Sequence, residues 1–132
     1  MKTIETRLEK GDDLYDSILR IAKKNHIRAG VILSGVGCVS KARIRDSQGV
    51  DVHEIVENME IVSLTGTISE EGLHLHISLS RKDLSVIGGH LKEGTIISLT
   101  CELVIGILKD CEFERILDEK TGYKELKIKK TD

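Results

Sequence analysis

A chain of 132 residues carries 20 basic and 22 acidic side chains, a net charge of −2 that offers little general affinity for a phosphate backbone. Hydrophobic residues make up 39% and aromatics only 2%, with twelve glycines and no proline, so the core must be aliphatic and the turns must come from Gly, Asn, Asp and Ser. No apolar run approaches the ~20 residues of a membrane helix, Met1–Lys10 is too polar for a secretory signal, and three cysteines without C-x-x-C spacing suggest reduced thiols in a cytoplasmic protein.

Lys2–Leu8 alternates loosely and predicts a first strand. Asp12 or Asp13 then supplies a helix N-cap, and Leu14, Ile18, Ile21 and Ala22 fall on one helical face. Arg20, Lys23 and Lys24 favour the negative end of its dipole, and the helix should stop within 25–28. From Ala29 the period changes to two. Ala29–Ser34 and Val39–Asp46 predict strands separated by a turn at Gly35-Val36-Gly37. Ser47-Gln48-Gly49 turns the chain into Val52–Val56, and Ile61–Ile68 and Leu73–Ser80 form a hairpin about 69–72. After a polar turn at 81–83, Thr95–Leu108 is long enough for one bent strand or two short ones, with Gly106 a candidate bulge. Glu112–Leu117 and Lys124–Lys130 complete a single α+β domain over residues 1–132.

The segment Leu73–Ser80 reads L-H-L-H-I-S-L-S, which sends leucines and isoleucine to one face and His74, His76 and two serines to the other. Imidazoles two residues apart on a strand stand side by side, roughly 7 Å apart at Cα. Gly88-Gly89-His90 follows, and a diglycine permits a tight bend or a close backbone approach that returns a third imidazole to the same place. Three neutral nitrogens with an open fourth position form the ligand set of a catalytic-type zinc site, and imidazole also accepts other divalent transition metals. The plainer reading is a polar strand face.

Other residues carry weaker signals. Lys41, Arg43 and Arg45 share one face of a strand and could contact nucleic acid, although a solvated or edge-protecting face explains them as well. The Lys127–Lys130 cluster has the same ambiguity. Glu102, inside T-C-E-L-V, is a candidate general base or a partner that orients a metal-bound histidine, or else a surface or subunit contact. His26 and His53 read as surface residues, and Cys38, Cys101 and Cys111 as small buried apolar residues. Gly35-x-Gly37 is not a dinucleotide fingerprint, because Ser40 occupies the third glycine position and no helix follows; no cofactor site of that type is expected.

Gly11–Leu14 with its helix, Ala29–Gly37, Glu60–Thr67, His74-Leu75-His76, and Gly88–Leu91 leading to Thr100–Leu103 resemble, in this order, the plants-and-prokaryotes conserved (PPC) domain in its stand-alone prokaryotic form. The resemblance covers roughly residues 1–110, and H-x-H followed by G-G-H-L is its most specific part. It implies an α+β fold with a twisted, largely antiparallel sheet and one main flanking helix, similar at fold level to acetolactate decarboxylase. It implies a homotrimer, a metal on His74, His76 and His90, and a partner-binding segment at Glu60–Gly66. Plant relatives join this domain to AT-hooks; a chain without proline cannot hold the R-G-R-P core of that motif. The reading is therefore a trimeric metal-carrying module for a small-molecule or protein ligand, with a DNA-binding label carried by association. A zinc-dependent lyase or hydrolase using the open coordination position is the alternative.

Overall fold

The computed structural model describes residues 1–131. The elements are β1 (Lys2–Glu9), α1 (Leu14–Lys24), β2 (Gly30–Arg45), β3 (Val52–Ser69), β4 (Gly72–Ser80), β5 (Val86–Leu91), β6 (Ile96–Ile107), β7 (Cys111–Leu117) and β8 (Lys124–Lys130). Every strand pairing is antiparallel. This is the expected α+β architecture of a largely antiparallel sheet with one helix.

Helix α1 forms where the sequence places it. The Asp13 side chain accepts from the Asp16 amide, satisfying one free donor of the first turn, and its second oxygen accepts from the Gly94 amide at 2.8 Å. The capping residue thus also fastens the helix start to the turn before β6. Leu14, Ile18 and Ala22 are fully buried against the sheet. Asn25 closes the helix, and His26 follows in the left-handed region at φ 50°, a place glycine often takes.

The main sheet runs β1-β6-β2-β3-β4-β5, and β5 then pairs back onto the end of β2 through Ile44↔Leu91 and Arg45↔His90. Strands β2 to β5 therefore close on themselves, so the outermost strand is not left as an open edge along its whole length. The principal core fills this fold with aliphatic side chains from α1 and all six strands, including Leu14, Val39, Leu79, Leu91 and Ile105.

Several predicted breaks are absent. Gly35-Val36-Gly37 is not a turn; β2 passes through it without interruption. A Cβ on Gly37 would lie 2.1 Å from the Thr100 carbonyl oxygen and 2.7 Å from Cys101 Cα, so this glycine serves close packing of β2 on β6. Val52–Val56 and Ile61–Ile68 are likewise one strand, and Gly88-Gly89 lies inside β5 instead of at a bend. The region after Thr95 is one strand whose pairing with β1 stays regular past Gly106, while its pairing with β2 shifts register between Ile32 and Ser34. It shifts again between Gly37 and Lys41 of β2, where β6 carries the extra residues between Ile97 and Cys101. Cys101 and Cys111 are buried, but Cys38 is only partly so, with Ser98 Oγ donating to its sulfur at 3.0 Å.

The hairpin β7–β8 forms its own two-stranded sheet. It docks through a second small core of Ala29, Cys111 and Phe113, and the Phe113 amide donates to the Arg28 carbonyl at 2.8 Å. No helix among the described residues is long and apolar enough to cross a membrane.

Candidate metal centre

The closed end of the sheet brings three imidazoles together. On β4, Leu75, Ile77 and Leu79 are buried, which turns His74 and His76 outward on the opposite face. The β4–β5 register sets His90 directly opposite His76, and the β5–β2 register sets Arg45 opposite His90. Across β3, Thr65 and Thr67 stand opposite His76 and His74. A single lateral row therefore runs Thr65–His76–His90–Arg45 over four strands.

Glycines allow this spacing. A Cβ on Gly88 would come within 2.3 Å of the Ile77 carbonyl oxygen, and one on Gly89 within 2.6 Å of an Ile44 methyl and 2.8 Å of the Arg45 carbonyl oxygen. Without side chains at both positions, β5 fits tightly between β4 and β2 and delivers His90 to its neighbours.

The ring centroids of His74, His76 and His90 are 5.0, 5.3 and 5.7 Å apart. One nitrogen from each ring lies within 4.8 Å of the other two, and the rings are mutually tilted so that the three lone pairs can converge. Two nitrogens on a tetrahedral zinc with bonds of about 2.0–2.1 Å stand about 3.3 Å apart, a contraction within reach of side-chain rotation. A shallow recess of about 160 Å³ lined by Thr65, Gly66, Thr67, His74 and His76 opens beside the rings.

Electrostatics favour the neutral form of two of these rings, His90 and His74. Burial pushes the His90 pKa down to about 4, helped by the positive charge of Arg45 and by the other two imidazoles. His74 is lowered chiefly by burial, then by His76 and Arg115, with Glu125 pulling the other way and Arg45 adding a smaller push down. Neutral imidazole is the form that ligates a metal, so His74 and His90 suit a divalent transition ion without first losing protons at pH 7. The contact between Arg45 Nη2 and His90 Nδ1 is long, at 3.4 Å, and the roles of the two ring nitrogens depend on the tautomer.

The remaining sequence candidates lie elsewhere or differently. Glu102 is exposed on β6, paired laterally with Arg7 and Val36. Val36 is nine residues from Arg45 along β2, roughly 25–30 Å of extended chain, so Glu102 is remote from the imidazoles. Lys41, Arg43 and Arg45 do share one side of β2, since Ala42 and Ile44 are buried between them. Yet Lys41 pairs with Glu54 at 3.8 Å and Arg45 turns to His90, which leaves Arg43 alone facing solvent. His53 is exposed and hydrogen-bonded to Asp46 at 2.8 Å, and exposed His26 lies 3.5 Å from Glu70. Two residues near the site escape sequence reasoning: Thr67, and Arg115 of β7, whose Nη2 donates to Thr67 Oγ1 at 2.9 Å. Nothing local in the sequence links position 115 to the H-x-H strand; only docking of the hairpin does.

A small antiparallel α+β domain bearing three clustered imidazoles on adjoining strands defines a class of protein equipped to hold a metal. The chain belongs to the Plants and Prokaryotes Conserved (PCC) domain family, the PPC domain, which matches residues 1–109. It is 35% identical over 128 residues to the Bifunctional protein GlmU of Synechococcus sp. (strain JA-2-3B'a(2-13)), a match covering 97% of this chain and 20% of that protein. The chain thus spans about a fifth of the length of the curated relatives it matches. Among solved structures it is similar to a hypothetical protein from Salmonella enterica, with TM-score 0.95 and 29% identity over 98% of this chain and 94% of that one. A metal-containing protein from Archaeoglobus fulgidus superposes with TM-score 0.81 and 31% identity, covering 96% and 94%. A candidate DNA-binding protein from Bacteroides thetaiotaomicron does so with TM-score 0.85 and 25% identity, covering 95% and 91%.

Proposed function

We propose that this PPC domain, taken as one unit over residues 1–132, is a binding module that holds zinc on His74, His76 and His90 and works as a homotrimer in the cytoplasm. The observation that carries the reading is the convergence of three imidazoles from two adjacent strands. The metal-containing relative from Archaeoglobus fulgidus supports it. Three protein ligands leave a coordination position open, at which bound zinc would act as a Lewis acid toward a donor atom of a small-molecule or protein partner. A lyase or hydrolase would also need a base at that position, and Glu102, the residue the sequence offered, is remote from the rings. DNA binding is the reading suggested by the Bacteroides relative, but a net charge of −2 and a basic strand whose Lys41 is paired with Glu54 do not favour it.

Elemental analysis of the purified protein tests the metal. About one zinc per chain is expected, with none in the His74→Ala/His76→Ala variant, and metal-free wild-type protein would overturn the reading. The trimer has a physical basis in Leu33, Val36, Val62 and Leu99, exposed aliphatic side chains on the neighbouring strands β2, β3 and β6. Sedimentation equilibrium should give three times the 14.7 kDa chain mass, and a monomer at micromolar concentration would contradict it.

A further inference from the structure

Three cationic side chains stand around the imidazoles, against one carboxylate, Glu125 of β8, whose field reaches His74. Arg45 faces His90 from β2, and Arg115 reaches in from β7 to Thr67, the cross-strand partner of His74. Lys92, two residues beyond His90, adds a third cation whose field reaches that ring. None of these three side chains makes an ion pair with a carboxylate among the described residues. The Arg45 Nε–H is moreover shielded from solvent and has no protein acceptor. Unpaired guanidinium charge at partly buried positions is costly, and proteins that keep it usually have a counter-charge to bring. A dication on three neutral histidines would increase the imbalance, because the ligand set itself contributes no negative charge.

We propose that the mouth of the histidine cluster binds a small oxyanion, a carboxylate or a phosphate, held by the guanidiniums of Arg45 and Arg115. The planar fork of arginine matches the paired oxygens of either group, and charge-assisted hydrogen bonds of this type are the strong ones. The recess beside Thr65, Gly66 and Thr67 has room for a compact ligand, and its wall includes both His74 and His76. Arg115 lies outside the residues 1–109 matched by the family model, so its contact with Thr67 comes from the docked β7–β8 hairpin. The inference rests on the zinc reading for its charge balance, yet the arginine contacts can be tested separately from it.

The test is titration calorimetry of malonate and of inorganic phosphate into the full chain, metal-free and zinc-loaded, with zinc affinity measured independently by competition with a chromophoric chelator. At least one anion should bind the wild type. Arg115→Gln and Arg45→Gln should each weaken it about tenfold or more, and Arg45→Lys should restore part of the loss. Arg115 is only partly buried at the surface hairpin, so its variant remains informative if Arg45→Gln is unstable. Which anion binds distinguishes a carboxylate ligand from a phosphate. Binding of neither anion, or undiminished binding by Arg115→Gln together with a folded Arg45 variant, overturns the inference. Anion binding that needs the arginines in a protein unable to hold zinc supports the anion site and overturns only the metal reading.

Discussion

At the scale of single residues, the centre depends on holding three imidazoles close, with His74 and His90 favoured in the neutral form. His90→Ala removes one of three ligands and should cost more zinc affinity than the about 10–100-fold typical of an outer-shell change, read by chelator competition. The pH dependence has a definite sign. Protons compete with metal for imidazole, and the His90 pKa is lowered from 6.5 to about 4 while that of His74 also falls. These rings stay unprotonated further into acid than free histidine, so zinc should be retained as the pH drops below 6.5. Stepwise dialysis with metal analysis checks this, and complete release already near pH 6.5 would contradict the burial argument. The polar half of the site was legible in the sequence, because alternation in L-H-L-H-I-S-L-S sends both histidines to one face whatever the fold. The partner of His90 was not. Arg45 reads as one of three equivalent cations on a strand, and nothing in K-A-R-I-R distinguishes the one that meets a histidine.

At the scale of elements, glycines set how close the strands approach, and sequence gives their presence without their reason. Gly35-Val36-Gly37 reads as a turn because glycine does mark turns; here it marks a close approach of paired strands where a side chain has no room. Gly37→Ala should destabilise the protein by about 1–3 kcal/mol, as overpacking does, measured by denaturant unfolding. Gly88→Ala should act on the site as well, because a Cβ 2.3 Å from the Ile77 carbonyl oxygen must push β5 away from β4 and carry His90 from His76. Its zinc affinity should fall together with its stability. Gly72→Ala is the control. Its nearest contact would be 3.9 Å away, so its unfolding curve should stay within about 0.5 kcal/mol of the wild type. The helix needed no such help. Its cap, its apolar face and its basic last turn all agree locally, so its place and ends were legible in advance.

At the scale of the molecule, two cores of unequal size divide the chain. The principal one joins α1 and six strands, while the β7–β8 hairpin leans on the small cluster of Ala29, Cys111 and Phe113. A lone two-stranded sheet is marginal in water, so this hairpin holds by docking. Phe113→Ala should remove about 3 kcal/mol of that docking. Amide exchange should then speed up across β7 and β8 while β6 remains protected; uniform loss of protection would mean that the hairpin and the main sheet unfold together.

By itself, the sequence determined the pieces: an aliphatic antiparallel chain, one capped helix, and two imidazoles on a common strand face, because each depends on residues within a few positions of one another. The tertiary structure decided what those pieces meet. Return of β5 to the end of β2 set His90 between His76 and Arg45, the long uninterrupted strands left Glu102 far along the sheet, and the docked hairpin carried Arg115 to Thr67. Those contacts join residues 14 to 48 positions apart through register and packing, and no local preference of the chain encodes such a distance.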